Sequence, residues 1–224
     1  MTSRIYLTVN KILARATGFV LHPALDPLST FDCPIDLIID IGVASGTPDV
    51  YALAPDANLI LIEPLQKYWP DCERILKGRS GMLFKCAAGK DKAVSRLFEY
   101  GLSSSLLPRT DKDIGQRTTT VDVQPLDSLL RSCIYWEASE NCLLKIDTEG
   151  YELECLKGSL TALRSKKIKY IFAECRIHGI DTYGFSELVC FLHSHHYNLL
   201  DLREVGYGRR RVNYLDCIFE LQSP

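Results

Sequence analysis

A chain of 224 residues with 46% hydrophobic and 24% charged content is long enough for one large domain with a full core. A net charge of −2 supplies no global attraction to nucleic acid or anionic lipid, and no apolar run approaches the length of a membrane span. The nine cysteines are odd in number, with no C-x-x-C unit and no metal-ligand spacing. They argue against a disulfide framework and for a reducing, cytoplasmic setting.

Residues 1–30 read as a helical extension ahead of a single domain over 31–224. Ile5, Val9, Ile12, Leu13 and Ala16 recur at near-helical spacing beside Arg4, Lys11 and Arg15, the pattern of a docking helix. Asn10, Lys11 and Arg15 interrupt any apolar stretch a signal peptide would need. The domain then alternates strands and helices. A strand over 36–41 precedes a short helix over 47–53, for which Thr47, Pro48 and Asp49 are good opening residues. A second strand spans 58–63, and the helical stretch after it restarts at Pro70 and stops at Gly78.

A third strand is expected over 82–87, and residues 93–100 and 116–123 are extended. Pro125 to Leu130 opens another short helix. Strand four covers 142–146, and one helix follows it, with Leu153, Leu156, Leu160 and Leu163 on its buried stripe. Strand five is 168–174, a helix spans 185–195, and stretches 197–202 and 213–220 flank a Gly-Tyr-Gly-Arg-Arg-Arg turn. Alternation of this kind builds an α/β fold, a parallel sheet with helices on both faces, closed by an antiparallel pair at its edge.

The first turn carries the chemistry. Asp40-Ile-Gly42-Val-Ala44-Ser-Gly46 joins an apolar strand to a helix, and the next strand ends in Glu63. Such a pair binds an adenosine-containing cofactor at the carboxyl edge of a parallel sheet. The middle glycine of the dinucleotide fingerprint is missing, and Asp40 would repel a diphosphate. A carboxylate there suits an ammonium or sulfonium group, and Glu63 can accept both ribose hydroxyls. S-adenosylmethionine fits these residues better than NAD, which sets aside a nucleotide-dependent oxidoreductase.

Further blocks follow in order: Leu61-Ile-Glu-Pro64, Gly101-Leu-Ser-Ser-Ser-Leu106, Thr120-Val-Asp-Val-Gln-Pro-Leu-Asp127 and Leu144-Lys-Ile-Asp-Thr-Glu-Gly-Tyr-Glu152. With them the chain resembles the FkbM-type S-adenosylmethionine-dependent methyltransferases over about residues 35–220. The resemblance implies the class I methyltransferase fold, a Rossmann-like three-layer sandwich. Its seven-stranded sheet has the order 3-2-1-4-5-7-6 with strand seven antiparallel. It also implies O-methylation of a hydroxyl on a sugar, glycan or small secondary metabolite. The runner-up is a catalytically inactive cofactor-binding accessory protein of the same fold, and its support is Ala44, where the family usually has Asn.

By the same resemblance Asp40, Gly42, Ala44 and Gly46 surround the methionine part of the cofactor, and Glu63 holds the ribose. Ala87 and Ala88 either line the adenine pocket or simply pack the core. Ser103, Ser104 and Ser105 either bond the cofactor carboxylate or substrate, or only shape their loop. Asp147, at the end of strand four, is expected to face the methyl group as positioning group or base. Glu149 and Glu152 are read either as functional or as acids placed for the helix dipole, and Lys145 as a neutralising partner. Glu174 with Asp147 is a candidate Mg²⁺ pair, and His178 a neighbouring base. Arg203 and Arg209 to Arg211, with Tyr207 and Tyr214, suit an acceptor bearing phosphate or carboxylate. The partner expected is a small molecule or sugar, not nucleic acid or membrane.

Overall fold

The computed structural model describes residues 31–108, 116–177, 183–207 and 212–222. The N-terminal extension, His178 and Arg209 to Arg211 lie outside them. In chain order the elements are β1 (Leu37–Ile41), α1 (Pro48–Ala52), β2 (Asn58–Ile62), α2 (Trp69–Leu76), β3 (Gly81–Phe84), β4 (Ala87–Ala88) and β5 (Ala93–Phe98). There follow β6 (Thr118–Gln124), α3 (Leu126–Leu130), α4 (Ile134–Ala138), β7 (Cys142–Ile146), α5 (Glu152–Lys157) and α6 (Leu160–Arg164). The chain closes with β8 (Ile168–Arg176), α7 (Phe185–Ser194), β9 (Tyr197–Tyr207) and β10 (Val212–Leu221).

Seven strands form one sheet in the order β3-β2-β1-β7-β8-β10-β9. Pairings from β3 to β8 are parallel, and β10 runs antiparallel to both its neighbours. This is the order the resemblance implied. Every residue of β1 and β7 is buried, because central parallel strands are covered on both faces. Ile39, Ile41, Leu144 and Ile146 face a core shared with Leu153, Leu156, Leu188 and Phe219. Ile38 and Leu143 face the opposite core, with Val50, Leu61, Tyr170 and Ile218. Burying each such side chain contributes about 1.5–3 kcal/mol.

Three elements depart from expectation. Strand three stops at Phe84, because β2 ends and its last rung is the bond from Glu63 N–H to the Phe84 carbonyl. Ala87 and Ala88 pair instead with Val123 and Gln124 in a separate sheet, β4-β6-β5. The helix after strand four is two helices, broken at Gly158. A Cβ there would lie 2.0 Å from the Gly89 carbonyl oxygen, so the chain turns where it crosses the Gly89 backbone. The Asp127 carboxylate then accepts the Thr161 and Ala162 N–H bonds at 2.7 and 2.9 Å and opens α6. Leu160 is half-buried and Ala162 takes the core position. The closing hairpin is longer than expected, and its ladder breaks register around Arg203 and Leu200.

Candidate functional site

The carboxyl ends of β1 and β7 lie side by side, and this contact requires glycine at position 42. Its φ is +80°, and a Cβ would lie 1.9 Å from the Asp147 carbonyl oxygen. Ala44 takes a left-handed backbone without being glycine, at φ +47°, a conformation that costs an L-residue about 1–2 kcal/mol. What holds it is Glu63, whose Oε2 accepts the Ala44 N–H at 2.8 Å while Oε1 accepts the Leu65 N–H at 2.8 Å. Burial pushes the Glu63 carboxyl up, and the two backbone donors oppose the shift. Each oxygen keeps a lone pair beyond its backbone bond. The Thr47 hydroxyl does not cap α1; it donates to Asp40 Oδ2 at 3.4 Å.

Glycine loop, Glu63, Ala87, Ala88, Ser104, Lys145 and Asp147 line one cavity of about 260 Å³. Leu65, Tyr68, Leu97 and Leu106 complete an apolar wall beside the two alanines. The Ser104 hydroxyl is engaged within its own turn, donating to the Gly101 carbonyl at 2.7 Å and accepting the Tyr100 N–H at 3.2 Å. Ser105 is a latch. Its backbone bridges Phe98, and its hydroxyl donates to the Glu149 carbonyl at 3.0 Å. Ser103 is not among the residues that line the cavity.

Asp40 is placed differently from expectation. It is fully buried and does not line the cavity. On a strand, side chains alternate, and position 40 shares the face of Ile38. There Oδ2 accepts the Tyr51 hydroxyl at 2.5 Å, and Lys145 Nζ lies 3.0 Å from Oδ1. Lys145, also buried, donates to the Gly42 carbonyl at 2.8 Å and stands 3.6 Å from Asp147 Oδ2. Burial pulls the Lys145 ammonium toward neutrality, but Asp40 and Asp147 outweigh it and the pKa is raised. The charge this pair presents to the cavity is therefore positive.

Asp147 lines the cavity with its side chain 37% exposed. Glu149 and Glu174 stand behind it, outside the lining, and share Arg176: the guanidinium bonds Glu149, and its Nε lies 3.2 Å from Glu174 Oε1. Carboxylate oxygens of Asp147, Glu149 and Glu174 all fall within 4.8 Å of one another. As a cation site the set does not fit Mg²⁺, which demands near-ideal octahedral geometry. Arg176 already contacts two of the three acids, and Lys145 stands beside the third.

Glu152 settles as structural. Fully buried, its Oε1 accepts the Thr148 and Gly150 N–H bonds at 3.0 and 2.9 Å, and its Oε2 accepts the Tyr183 hydroxyl at 2.5 Å. It shapes the loop that presents Asp147. Asp216 escaped the sequence reading. On β10 it pairs with Glu174 on one side and Glu204 on the other. Burial, Glu204 and Asp147 push its carboxyl up to about 7. In sequence it sits between Leu215 and Cys217 and looks like an ordinary solvent-facing strand position. Arg203 is ion-paired with Asp201 at 2.9 Å, and the Tyr214 hydroxyl donates to Glu204 at 2.8 Å.

Among curated proteins no relative matches by sequence. Of solved structures, a methyltransferase FkbM from Methylobacillus flagellatus KT is similar at 16% identity and a TM-score of 0.52, covering 83% of this chain and 43% of that one. This chain thus spans less than half the length of that protein. Magnesium protoporphyrin IX methyltransferase (ChlM) from Synechocystis PCC 6803, with bound SAM, aligns at 8% identity and a TM-score of 0.48, over 97% and 80%. The precorrin-6y C5,15-methyltransferase of Geobacter metallireducens GS-15 aligns at 14% and 0.42, over 88% and 85%. The seven-stranded sheet with its antiparallel β10 is the class I methyltransferase fold. The Methyltransferase FkbM domain matches residues 40–207, three quarters of the sequence, and the chain belongs to that family.

Proposed function

We propose that the chain is an S-adenosylmethionine-dependent O-methyltransferase whose acceptor is a hydroxyl on a sugar, glycan or small secondary metabolite. The observation that carries this reading is the single cavity onto which Glu63, the glycine loop, the Ala87–Ala88 wall and Asp147 all open. When bound, the cofactor supplies a sulfonium methyl group whose departure leaves a neutral thioether. Everything else falls to this chain. Glu63 accepts the ribose hydroxyls, and the two alanines with Leu65 and Leu97 exclude water from the adenine. Asp147 accepts the acceptor's hydroxyl proton, so that the oxygen attacks as its O–H bond breaks.

Lys145 and Arg176 supply the positive charge around this carboxylate, and no step passes through a metal. A cytoplasmic setting is part of the proposal, supported by nine free cysteines. So is the absence of nucleic acid or membrane from its partners. Among the described residues no helix is long and apolar enough to cross a membrane. An anionic group on the acceptor, held by the arginines near 203–211, belongs to the same reading.

The accessory-protein alternative draws on one observation, the left-handed backbone at Ala44. Calorimetric titration with S-adenosylmethionine, S-adenosylhomocysteine and NAD, followed by a methyl-transfer screen of hydroxyl acceptors, tests both. Binding of the two sulfur ligands and transfer to oxygen are the expected outcome. Transfer to nitrogen or carbon alone refutes O-methylation, and binding without transfer to any acceptor supports the accessory protein.

A further inference from the structure

We infer that Lys145 is the residue that recognises the carboxylate of the cofactor's amino-acid end. The inference rests on the cofactor reading above and says which end of that ligand meets which side chain. Among the described residues three charged side chains line the cavity: Glu63, Lys145 and Asp147. That is two acids and one base. S-adenosylmethionine carries the mirror set, a sulfonium, an ammonium and one carboxylate, so the one cation among the described lining residues matches the one anion of the ligand.

The donor arithmetic agrees. A lysine ammonium has three N–H bonds. One goes to the Gly42 carbonyl at 2.8 Å, and Asp40 Oδ1 stands 3.0 Å away as the ion-pair partner. The remaining neighbour, Asp147 Oδ2, lies at 3.6 Å, beyond hydrogen-bond distance. At least one donor is therefore left on a buried ammonium at the cavity wall, whose charge Asp40 and Asp147 favour. The Ser104 and Ser105 hydroxyls, which also line the cavity, give their protons to the Gly101 and Glu149 carbonyls. An anionic ligand at Lys145 would sit beside Asp147, whose negative charge favours an ammonium next to it; an α-amino acid offers both. Asp147 has two carboxylate oxygens, so an ammonium near one leaves the other for the acceptor.

Asp40 acquires a purpose in the same scheme. Sealed from the cavity by Tyr51 and Thr47, it cannot meet the ligand. It keeps the Lys145 charge in place and fixes the ammonium against the glycine loop.

The test is calorimetric binding to the full chain of S-adenosylhomocysteine and of its carboxamide, in which the carboxylate alone is neutralised. The wild type and the double variant Asp40→Asn/Lys145→Gln are compared; the pair is neutralised together because a lone buried carboxylate would destabilise the fold. A charge-assisted hydrogen bond predicts that the wild type binds the carboxamide about 10- to 100-fold more weakly. The double variant should bind both ligands equally, at the strength the wild type shows for the carboxamide. Wild-type affinities within about twofold of each other overturn the inference whether or not the variant folds. So does a double variant that still prefers the carboxylate. Absence of S-adenosylhomocysteine binding to the wild type is a different result, and it removes the cofactor reading itself.

Discussion

At Asp147 and Ala44 single side chains decide different quantities. Asp147 stands at the cavity wall, and its replacement by Asn keeps the shape while removing the proton acceptor. Turnover is expected to fall about 10²- to 10⁴-fold, with an unchanged circular dichroism spectrum as the control. Ala44 holds a conformation glycine would adopt freely. Ala44→Gly relieves about 1–2 kcal/mol of steric strain and adds about 0.4–1 kcal/mol of unfolded-state entropy. A small net gain in urea stability is expected, and a loss would show that Glu63 has removed the strain already. Gly42 and Glu63 were legible from sequence, since a strand–turn–helix with an acid closing the next strand imposes both. Asp40 was not: the sequence supplies its charge, while the direction of its carboxylate follows from strand phase, which sends it behind the loop to Tyr51 and Lys145.

Elements inherit their limits from partners distant in sequence. The period of apolar residues located β1, β2, β7 and β8 because each is buried on both faces. It did not separate β3 from β4, since that boundary is set by where β2 runs out. Nor did it break the helix after strand four, where the cause is the approach of the Gly89 backbone to Gly158. Two carboxylates hold this region, and each gives a measurable loss. Asp127→Ala removes the acceptor for two N–H bonds at the start of α6 and is expected to cost about 0.5–2 kcal/mol in urea unfolding. Glu152→Ala strands the Thr148 and Gly150 N–H groups and the Tyr183 hydroxyl in the core. A loss of about 3–5 kcal/mol is expected, and one below that of Asp127→Ala would mean that water replaces the carboxylate.

For the whole molecule, the acids at the far side of the site make stability depend on pH. Burial, Asp147, Asp216 and Glu152 push the Glu174 carboxyl from the ordinary 4.5 up to about 8, and Asp216 rises from 3.8 to about 7. Between the ordinary and the raised values the native state binds more protons than the unfolded chain. Stability therefore falls as pH rises through that window. A lower urea midpoint at about pH 9 than at about pH 5 is expected, with Glu174→Gln flattening the difference; a midpoint that rises with pH contradicts it. Chelation is a second global test. With Arg176 shared by Glu149 and Glu174, turnover should be insensitive to EDTA, and a loss restored by Mg²⁺ would reinstate a metal. Strand order was legible because five motif blocks occur in family order. The Glu174–Asp216 pairing was not, since nothing local brings β8 and β10 together.

The broken register of β9 has a further consequence. Among the described residues β9 is the outer margin of the sheet, eleven residues long, with Leu199, Leu200 and Leu202 exposed along it. A straight apolar margin of that length is a template for another chain to add to, and repeated addition is how fibrils grow. Arg203 and Leu200 each stand opposite no residue of β10, and such bulges twist a strand away from a flat continuation. Two misfit residues thus stand between a finite sheet and an endless one.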